Sequence, residues 1–80
     1  MEISELIYKR IIELLEKDKL NINKFCKQNN IPPTTIYSIK DGKSTSPSIK
    51  NIIKICNGLN ISLYDFFNDD SFKEKKYNNK

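Results

Sequence analysis

The polar side chains of residues 34–43 are the ones whose types and spacing could do chemistry. Thr34, Thr35, Tyr37 and Ser38 place four hydroxyls close together, and lysines follow at positions 40 and 43. Hydroxyl and ammonium groups suit hydrogen bonding to phosphate oxygens and base edges. Catalysis would require other groups, and the chain has no histidine, no Gly-rich phosphate loop and no recognisable nucleophile–base pair. The sequence therefore predicts a binding protein and not an enzyme.

Metal and cofactor chemistry has little support in the composition. The only cysteines, Cys26 and Cys56, lie thirty positions apart. Two thiols without any histidine are too few donors for a tetrahedral zinc site and do not make a disulfide framework. Both cysteines lie in apolar patterns instead. We expect no metal and no cofactor.

Charge is distributed unevenly along the chain, whose net charge is +4. Residues 1–18 have five acidic and three basic side chains, and residues 65–80 have four of each. Residues 19–64 hold seven lysines against Asp41, for a net charge of +6. A positive central segment is expected if this part of the chain meets phosphates, although an ordinary solvated lysine surface is the alternative.

Apolar spacing and capping residues predict the helices that would position these side chains. A first amphipathic helix over residues 4–17 is indicated by apolar residues at intervals of three and four: Ile3, Ile7, Ile11, Leu14 and Leu15, with Leu6 and Ile12 widening the face. A second helix should begin after Asn21, whose side chain can accept from free N–H groups, and end at Asn30, which tolerates a left-handed turn. A third should occupy residues 33–41, because Pro33 suits the first helical position and Gly42 the position past the end.

Two more helices follow a polar loop. Ser48 is predicted to cap the fourth, whose apolar residues are Ile49, Ile52, Ile53, Cys56 and Leu59, with Gly58 at its end. Ser62 is predicted to cap the fifth, and Asp65 three residues later almost completes a capping box. The fifth helix presents Leu63, Phe66 and Phe67.

Residues 68–80 are charged and Asn-rich, and Phe72 and Tyr77 are their only large apolar side chains. Such a composition predicts a flexible C-terminal tail after a single all-α domain at residues 1–67. No stretch approaches the roughly 18 to 20 apolar residues that span a bilayer, so a cytoplasmic protein is expected. The abundance of Ile, Lys and Asn would fit an AT-rich bacterial genome.

The pattern N-K-F-C-x-x-N-N-I-P-x-T-T-I-x-x-I-x-x-G-K, followed by Pro47, Leu59 and Leu63-x-x-Phe66-Phe67, resembles the lambda-repressor-like (Cro/C1, or XRE) helix-turn-helix family. With the first helix, the resemblance covers about three quarters of the chain. It implies a compact five-helix DNA-binding domain with the helix-turn-helix at helices 2 and 3. Cys26 and Cys56 stand where relatives carry alanine, and cysteine is a small hydrophobe that fits both positions.

Two departures from the family pattern fall on the DNA-facing side. Ile22 stands where many members have a glutamine that bonds a phosphate, so that contact is lost or passes to Asn21, Asn23 or Lys24. Pro32 and Pro33 stand where members often place serine and glutamine.

The family's docking mode places the third helix in the major groove. The resemblance implies base-facing positions at Pro33, Thr34, Tyr37 and Ser38. It implies phosphate contacts at Asn23, Lys24, Thr35, Lys40, Lys43, Ser44 and Ser48. No Arg, Gln or Asn lies on this helix to make a bidentate base contact, so readout should be weak or depend on DNA shape. The alternatives are that the threonines only cap the helix, that Tyr37 is simply exposed, and that the lysines are solvated surface.

The resemblance also implies partners, since relatives usually bind as two-fold dimers on paired half-sites. We expect a palindromic operator in double-stranded DNA and a weak homodimer with contacts at Leu63, Tyr64 and Phe67. The function implied is a sequence-specific transcriptional regulator, most simply a repressor of phage or mobile-element type. The alternative is a helical protein–protein interaction module, antitoxin-like or adaptor-like, with the same fold. RNA binding is supported only by charge and Tyr37.

Overall fold

A computed structural model describes residues 3–40 and 48–73, and the structural statements below concern those residues. It contains five α-helices followed by a short 3-10 helix, and no strand occurs in the described ranges. The elements are α1 (Ile3–Lys17), α2 (Ile22–Asn29), α3 (Pro33–Lys40), α4 (Ile49–Leu59), α5 (Leu63–Phe67) and the 3-10 helix Asp70–Lys73. The all-helical architecture with a helix-turn-helix at α2 and α3 is confirmed.

The ends of α2 are set by two asparagines. Asn21 Oδ1 accepts a hydrogen bond from the Lys24 N–H at 2.7 Å. Asn30 has φ 55° and ψ 40°, a left-handed conformation that reverses the chain after the helix. The next residue, Ile31, is buried and its N–H bonds the Cys26 carbonyl oxygen at 3.0 Å. The turn is therefore anchored in the core, and α3 follows at a defined angle from Pro33.

Serine caps begin the last two α-helices. Ser48 Oγ accepts from the Asn51 N–H at 3.2 Å. Ser62 Oγ accepts from the Asp65 N–H at 3.0 Å, and an Asp65 carboxylate oxygen accepts from the Ser62 N–H at 3.4 Å. The expected capping box is therefore complete.

Gly58 does not end α4, contrary to the expectation from the sequence. It lies inside the helix, and the residue past the end is Asn60, with φ 59°. A Cβ atom at position 58 would lie 2.8 Å from Phe25 Cζ and 2.9 Å from Asn29 Cγ. Glycine is favoured there because the Phe25 ring and the Asn29 side chain of α2 lie directly against it, and not because the helix must stop.

The core is formed by one face of each α-helix. Its largest fully buried side chains include Phe25, Phe66, Ile11, Leu15, Ile36 and Ile55. In α1, Leu6 is buried more completely than Ile3 and Leu14, which lie at the edge of the core. In α4 the predicted apolar set was partly wrong, because Ile49 and Ile53 are exposed and Ile55 is buried. The buried face of α4 consists of Ile52, Ile55, Cys56 and Leu59. With a helical step of 100°, Ile49 and Ile53 project from the flank of that face.

A 3-10 helix, Asp70–Lys73, lies in the charged C-terminal part, for which the sequence predicts fraying or disorder from Asn68 onward. The rings of Phe67 and Phe72 meet edge to face, with centroids 5.1 Å apart, and Phe72 packs on the core. Through this aromatic contact the 3-10 helix Asp70–Lys73 is joined to the core. Tyr77 and the other residues of 74–80 lie outside the described residues, and the division into a domain at 1–67 and a tail stays a prediction.

The single arginine of the chain, Arg10, joins α1 to α5. Its Nε donates to the Phe66 carbonyl oxygen at 2.6 Å and its Nη2 to the Asp65 carbonyl oxygen at 2.7 Å. Among the described helices, none is both long and apolar enough to cross a membrane.

Candidate nucleic-acid interface

The outer side of α3 is defined by what its inner side buries. Ile36 and Ile39 are buried in the core, where α3 packs on α1 and α2. Of the four predicted base-facing residues, Pro33, Thr34 and Tyr37 are exposed and Ser38 is half-buried. Residues three and four apart are neighbours on a helix surface, so these four side chains form one strip. We call Pro33, Thr34, Tyr37 and Ser38 the α3 strip.

The hydroxyl groups at the start of α3 form no hydrogen bonds within the described part of the protein. The first turn is closed by the main chain, with the Thr35 N–H bonding the Pro32 carbonyl oxygen at 2.9 Å. Neither the Thr34 nor the Thr35 side chain makes a hydrogen bond to another residue in the described ranges. In the described ranges the threonine side chains therefore do not cap α3, which was the alternative that the sequence left open. The exposed Thr34 hydroxyl is available to bind another molecule.

The start of α2 supplies a second group of polar side chains. Asn23 and Lys24 are exposed, and Ile22 is half-buried against the core. Asn21 Oδ1 is occupied as the helix cap. The side chains of Asn23 and Lys24 make no hydrogen bond or ion pair within residues 3–40 and 48–73. Both are therefore available to replace the phosphate contact of the family's glutamine.

The remaining predicted phosphate contacts are at the far end of α3 and beyond it. Lys40 is exposed in the last turn of α3. Lys43 and Ser44 lie outside the described residues. Ser48 is exposed and caps α4 through its oxygen, which leaves the hydroxyl proton free to be donated to a phosphate oxygen.

The described lysines of the positive central segment form no ion pair with acids in residues 3–40 and 48–73. Where the structure describes them, all are exposed and none takes part in an ion pair: Lys19, Lys24, Lys27, Lys40, Lys50 and Lys54. The arginine, in contrast, is neutralised by Glu13 and lies 3.7 Å from Asp69. The segment therefore retains its positive charge at the surface.

The two thiols lie in the core and not at this surface. Desolvation by burial raises the pKa of both Cys26 and Cys56 above the usual thiol value. Because the neutral thiol is neither a good nucleophile nor a metal ligand, both act as small core side chains. No group of three or more His, Cys, Asp or Glu residues in the described ranges could hold a metal ion.

The predicted dimer contacts have unequal exposure. Tyr64 is 75% exposed and Leu63 is also exposed. Phe67 is half-buried because its ring packs against Phe66 and Phe72. On α4 the sequence reasoning missed Ile49, which is 56% exposed, because its apolar side chain fitted the helical core pattern.

Arg10 was also missed as a positioning residue for α5. The signal available in the sequence was that it is the one arginine in a chain that otherwise uses lysine. Arginine has a fork of donors that can bond two carbonyl oxygens at once, which lysine cannot reproduce.

Comparison with solved structures gives an independent view of this arrangement. The chain is similar to a crystal structure described as that of the prophage Lp1 protein 11, with 29% sequence identity and a TM-score of 0.80. The match covers 92% of this chain and 99% of that one. No curated protein matches the chain.

Comparison with family models shows to which family the chain belongs. A model of the Cro/C1-type HTH DNA-binding domain matches residues 10–70, which include both helices of the helix-turn-helix and all of α4 and α5. The match extends over most of the sequence and agrees with the capped turn, the buried face of α3 and its exposed polar strip. The chain therefore belongs to the Cro/C1-type helix-turn-helix family of DNA-binding domains.

Proposed function

We propose that this protein is a sequence-specific transcriptional repressor of phage or mobile-element type, which acts in the cytoplasm and binds double-stranded DNA with α3 in the major groove. The observation that carries the proposal is the orientation of α3. Ile36 and Ile39 are buried, so the α3 strip faces outward beside lysines that have no acidic partner in the described ranges. A helix held in this way presents hydrogen-bonding groups to base edges without losing core contacts.

Base recognition by this helix is modest in strength. Thr34 offers a hydroxyl to several bases and a methyl group to a thymine methyl, and Ser38 adds a second hydroxyl. Tyr37 stacks along the sugar–phosphate wall. With no bidentate side chain on α3, a substantial part of the specificity comes from DNA shape.

Phosphate contacts hold the helix in register. On one side Asn23 and Lys24 at the start of α2 contact one strand, and Thr35 lies close to the same backbone. On the other side Lys40, Lys43, Ser44 and Ser48 contact the second strand. The exposure of Asn23, Lys24, Lys40 and Ser48 supports the assignment, since each can reach a phosphate oxygen without unfolding, whereas Thr35 is half-buried.

A weak homodimer on a palindromic operator completes the proposal. Leu63 and Tyr64 project from α5, and Arg10 holds that helix on the domain. Phe67 contributes only its exposed edge. The similarity to a protein described as a prophage protein supports the phage type.

A binding selection from random duplex DNA at physiological salt tests the proposal. We expect enrichment of a palindrome with two half-sites about one helical turn apart. Thr34→Ala should relax specificity within each half-site, whereas Gln28→Ala, an exposed polar change near the other end of α2, should leave it unchanged. Failure to enrich any sequence would contradict the proposal and favour a protein–protein interaction module.

A further inference from the structure

A pocket of about 320 Å³ opens where the end of α1, the start of α2 and the middle of α3 meet. Its apolar walls are Ile12 and Leu15 from α1, together with Leu20 and Ile22, and Tyr37 lines it from α3. A volume of this size is at the lower end of the range for small-molecule sites. It would hold one ring with a short chain, and not a large cofactor.

Three polar residues share this apolar pocket, and one of them is charged. Glu16, Asn21 and Asn23 line it, and Glu16 is the only lining residue that carries a formal charge. The Glu16 carboxylate makes no hydrogen bond or ion pair within residues 3–40 and 48–73. The Asn23 amide and the Tyr37 hydroxyl have no side-chain hydrogen bond in those ranges either. Asn21 is committed to its helix cap.

We propose that this pocket binds a small organic cation, with an ammonium group on a compact apolar body. The carboxylate of Glu16 is complementary to an ammonium group, and the Asn23 side-chain oxygen can accept from it. The ring of Tyr37 offers an aromatic face, which attracts cations, and the aliphatic walls cover the apolar body. A small anionic ligand of the same shape would meet the unpaired Glu16 carboxylate, so the pocket favours a cation.

Ligand binding has a consequence for DNA, and that consequence rests on the proposed function. Asn23 and Tyr37 line the pocket and are also assigned to the DNA-facing surface. A ligand that occupies both side chains excludes the DNA backbone from the same place. The small cation is then an inducer, which lowers the affinity for the operator by competition.

A titration followed by two-dimensional ¹H–¹⁵N NMR tests the site without any DNA. The probes are phenethylamine, the neutral 2-phenylethanol and the anionic 3-phenylpropionate. We expect saturable shifts of the Leu20, Asn23 and Tyr37 amide signals with phenethylamine, with binding about fivefold tighter than that of the neutral alcohol and no detectable binding of the anion.

Glu16→Gln should remove the preference for the amine over the alcohol. Glu16 is exposed, so this variant keeps the fold. Glu5→Gln is the matched control, because Glu5 is exposed on the same helix and does not line the pocket. Absence of saturable shifts, equal binding of amine and alcohol, or shifts confined to another surface would each overturn the proposal.

Operator binding in the presence of phenethylamine, compared with the same concentration of sodium chloride, tests the competition. The amine should weaken DNA binding of the native protein more than that of Glu16→Gln. An unchanged affinity would overturn the inducer role. Amine binding by a protein that recognises no DNA would overturn the proposed function and leave the cation site intact. If only DNA moves the pocket signals, the pocket belongs to the DNA surface and the cation proposal is wrong.

Discussion

The guanidinium Nε of Arg10 lies 2.6 Å from the main-chain carbonyl oxygen of Phe66, so a side chain of α1 caps the C-terminal end of α5. The Asp65 carbonyl oxygen accepts a second bond from the same group. An isolated helix of five residues is unstable in water, and a cation at its C-terminal end stabilises the exposed carbonyl groups. Arg10 thus determines where α5, with Leu63 and Tyr64, sits on the domain.

Replacing Arg10 should therefore destabilise the protein. For Arg10→Met we expect a loss of about 1 to 3 kcal/mol in the free energy of unfolding, because two carbonyl oxygens lose charged donors while the aliphatic part is kept. Urea unfolding followed by circular dichroism measures the change. Lys9→Met, at an exposed neighbouring position, is the control and should change stability by less than about 0.5 kcal/mol. Equal stability of the two variants would show that the cap contributes nothing.

Gly58→Ala should also destabilise the protein, although alanine favours helix. The new Cβ would lie 2.8 Å from Phe25 Cζ, and Phe25 is fully buried and cannot move freely. We expect a net loss of about 1 to 2 kcal/mol after the helix-propensity gain is subtracted from the cost of overpacking. Thermal unfolding is the measurement, with Asn57→Ala at the exposed adjacent position as control. A rise in the melting temperature of Gly58→Ala would contradict the close packing of the Phe25 ring against Gly58.

The salt dependence of DNA binding tests the phosphate contacts. Replacing Lys40 and Lys43 with alanine should make the plot of log affinity against log salt shallower by about one unit of slope for each lost contact. Lys54→Ala, an exposed lysine of α4 outside the proposed contacts, should reduce affinity less and leave the slope nearly unchanged. An unchanged slope in the double variant would exclude both lysines as phosphate ligands.

The lowered pKa of Asp69 predicts a pH-dependent contribution to the stability of the protein. Hydrogen bonds from the Ser71 hydroxyl and the Ser71 N–H, followed by the nearby charge of Arg10, hold the pKa of the Asp69 carboxyl below its ordinary value of 3.8. A carboxyl whose pKa is lowered by folding stabilises the folded protein at every pH above its ordinary pKa. This stabilisation is lost as the pH falls through the folded-state pKa.

Asp69→Asn should therefore reduce stability at pH 7, and the difference from the native protein should shrink in acid. Urea unfolding at pH 7 and below the ordinary aspartate pKa of 3.8 measures it. Asp18→Asn, at an exposed aspartate without a side-chain hydrogen bond in the described ranges, is the control. A difference that grew on acidification would contradict the assigned direction.

Self-association should depend on the exposed side chains of α5. Tyr64→Ala should weaken dimerisation with little effect on stability, because Tyr64 is 75% exposed and fills no part of the core. Sedimentation velocity over a range of protein concentrations, with and without operator DNA, measures the association. A monomer under all these conditions, in the native protein as well as the variant, would contradict the proposed dimer.

Helix positions and their caps were readable from the sequence because they depend on local interactions. The asparagines at positions 21 and 30 and the serines at positions 48 and 62 act on main-chain groups only a few residues away, and the structure confirms all four. The turn of the helix-turn-helix was predictable for the same reason, because the residues that form it lie within the motif. For the same reason the outward direction of Thr34 and Tyr37 follows from the spacing of Ile36 and Ile39.

Which apolar residues are buried could not be decided in this way. Ile49, Ile53 and Ile55 have the same side chain, and only the packing of α4 against its neighbours distinguishes the buried one. Gly58 looked like a helix end because glycine commonly follows one, whereas its real role depends on Phe25, which is distant in sequence. The ring contact between Phe72 and Phe67 could not be read from composition either.

The groups proposed to bind partners also fall into two kinds: those that the sequence predicts and those that only the tertiary structure brings together. The sequence alone determined the five α-helices, their capping asparagines and serines, the positive central segment and the side chains on the outer face of α3, because each follows from residue type and short-range periodicity. The tertiary structure alone decided that Arg10 caps α5, that the Phe25 ring packs against Gly58, and that Glu16 shares a pocket with Tyr37. These contacts join residues far apart in the chain, and their geometry exists only once the helices have packed.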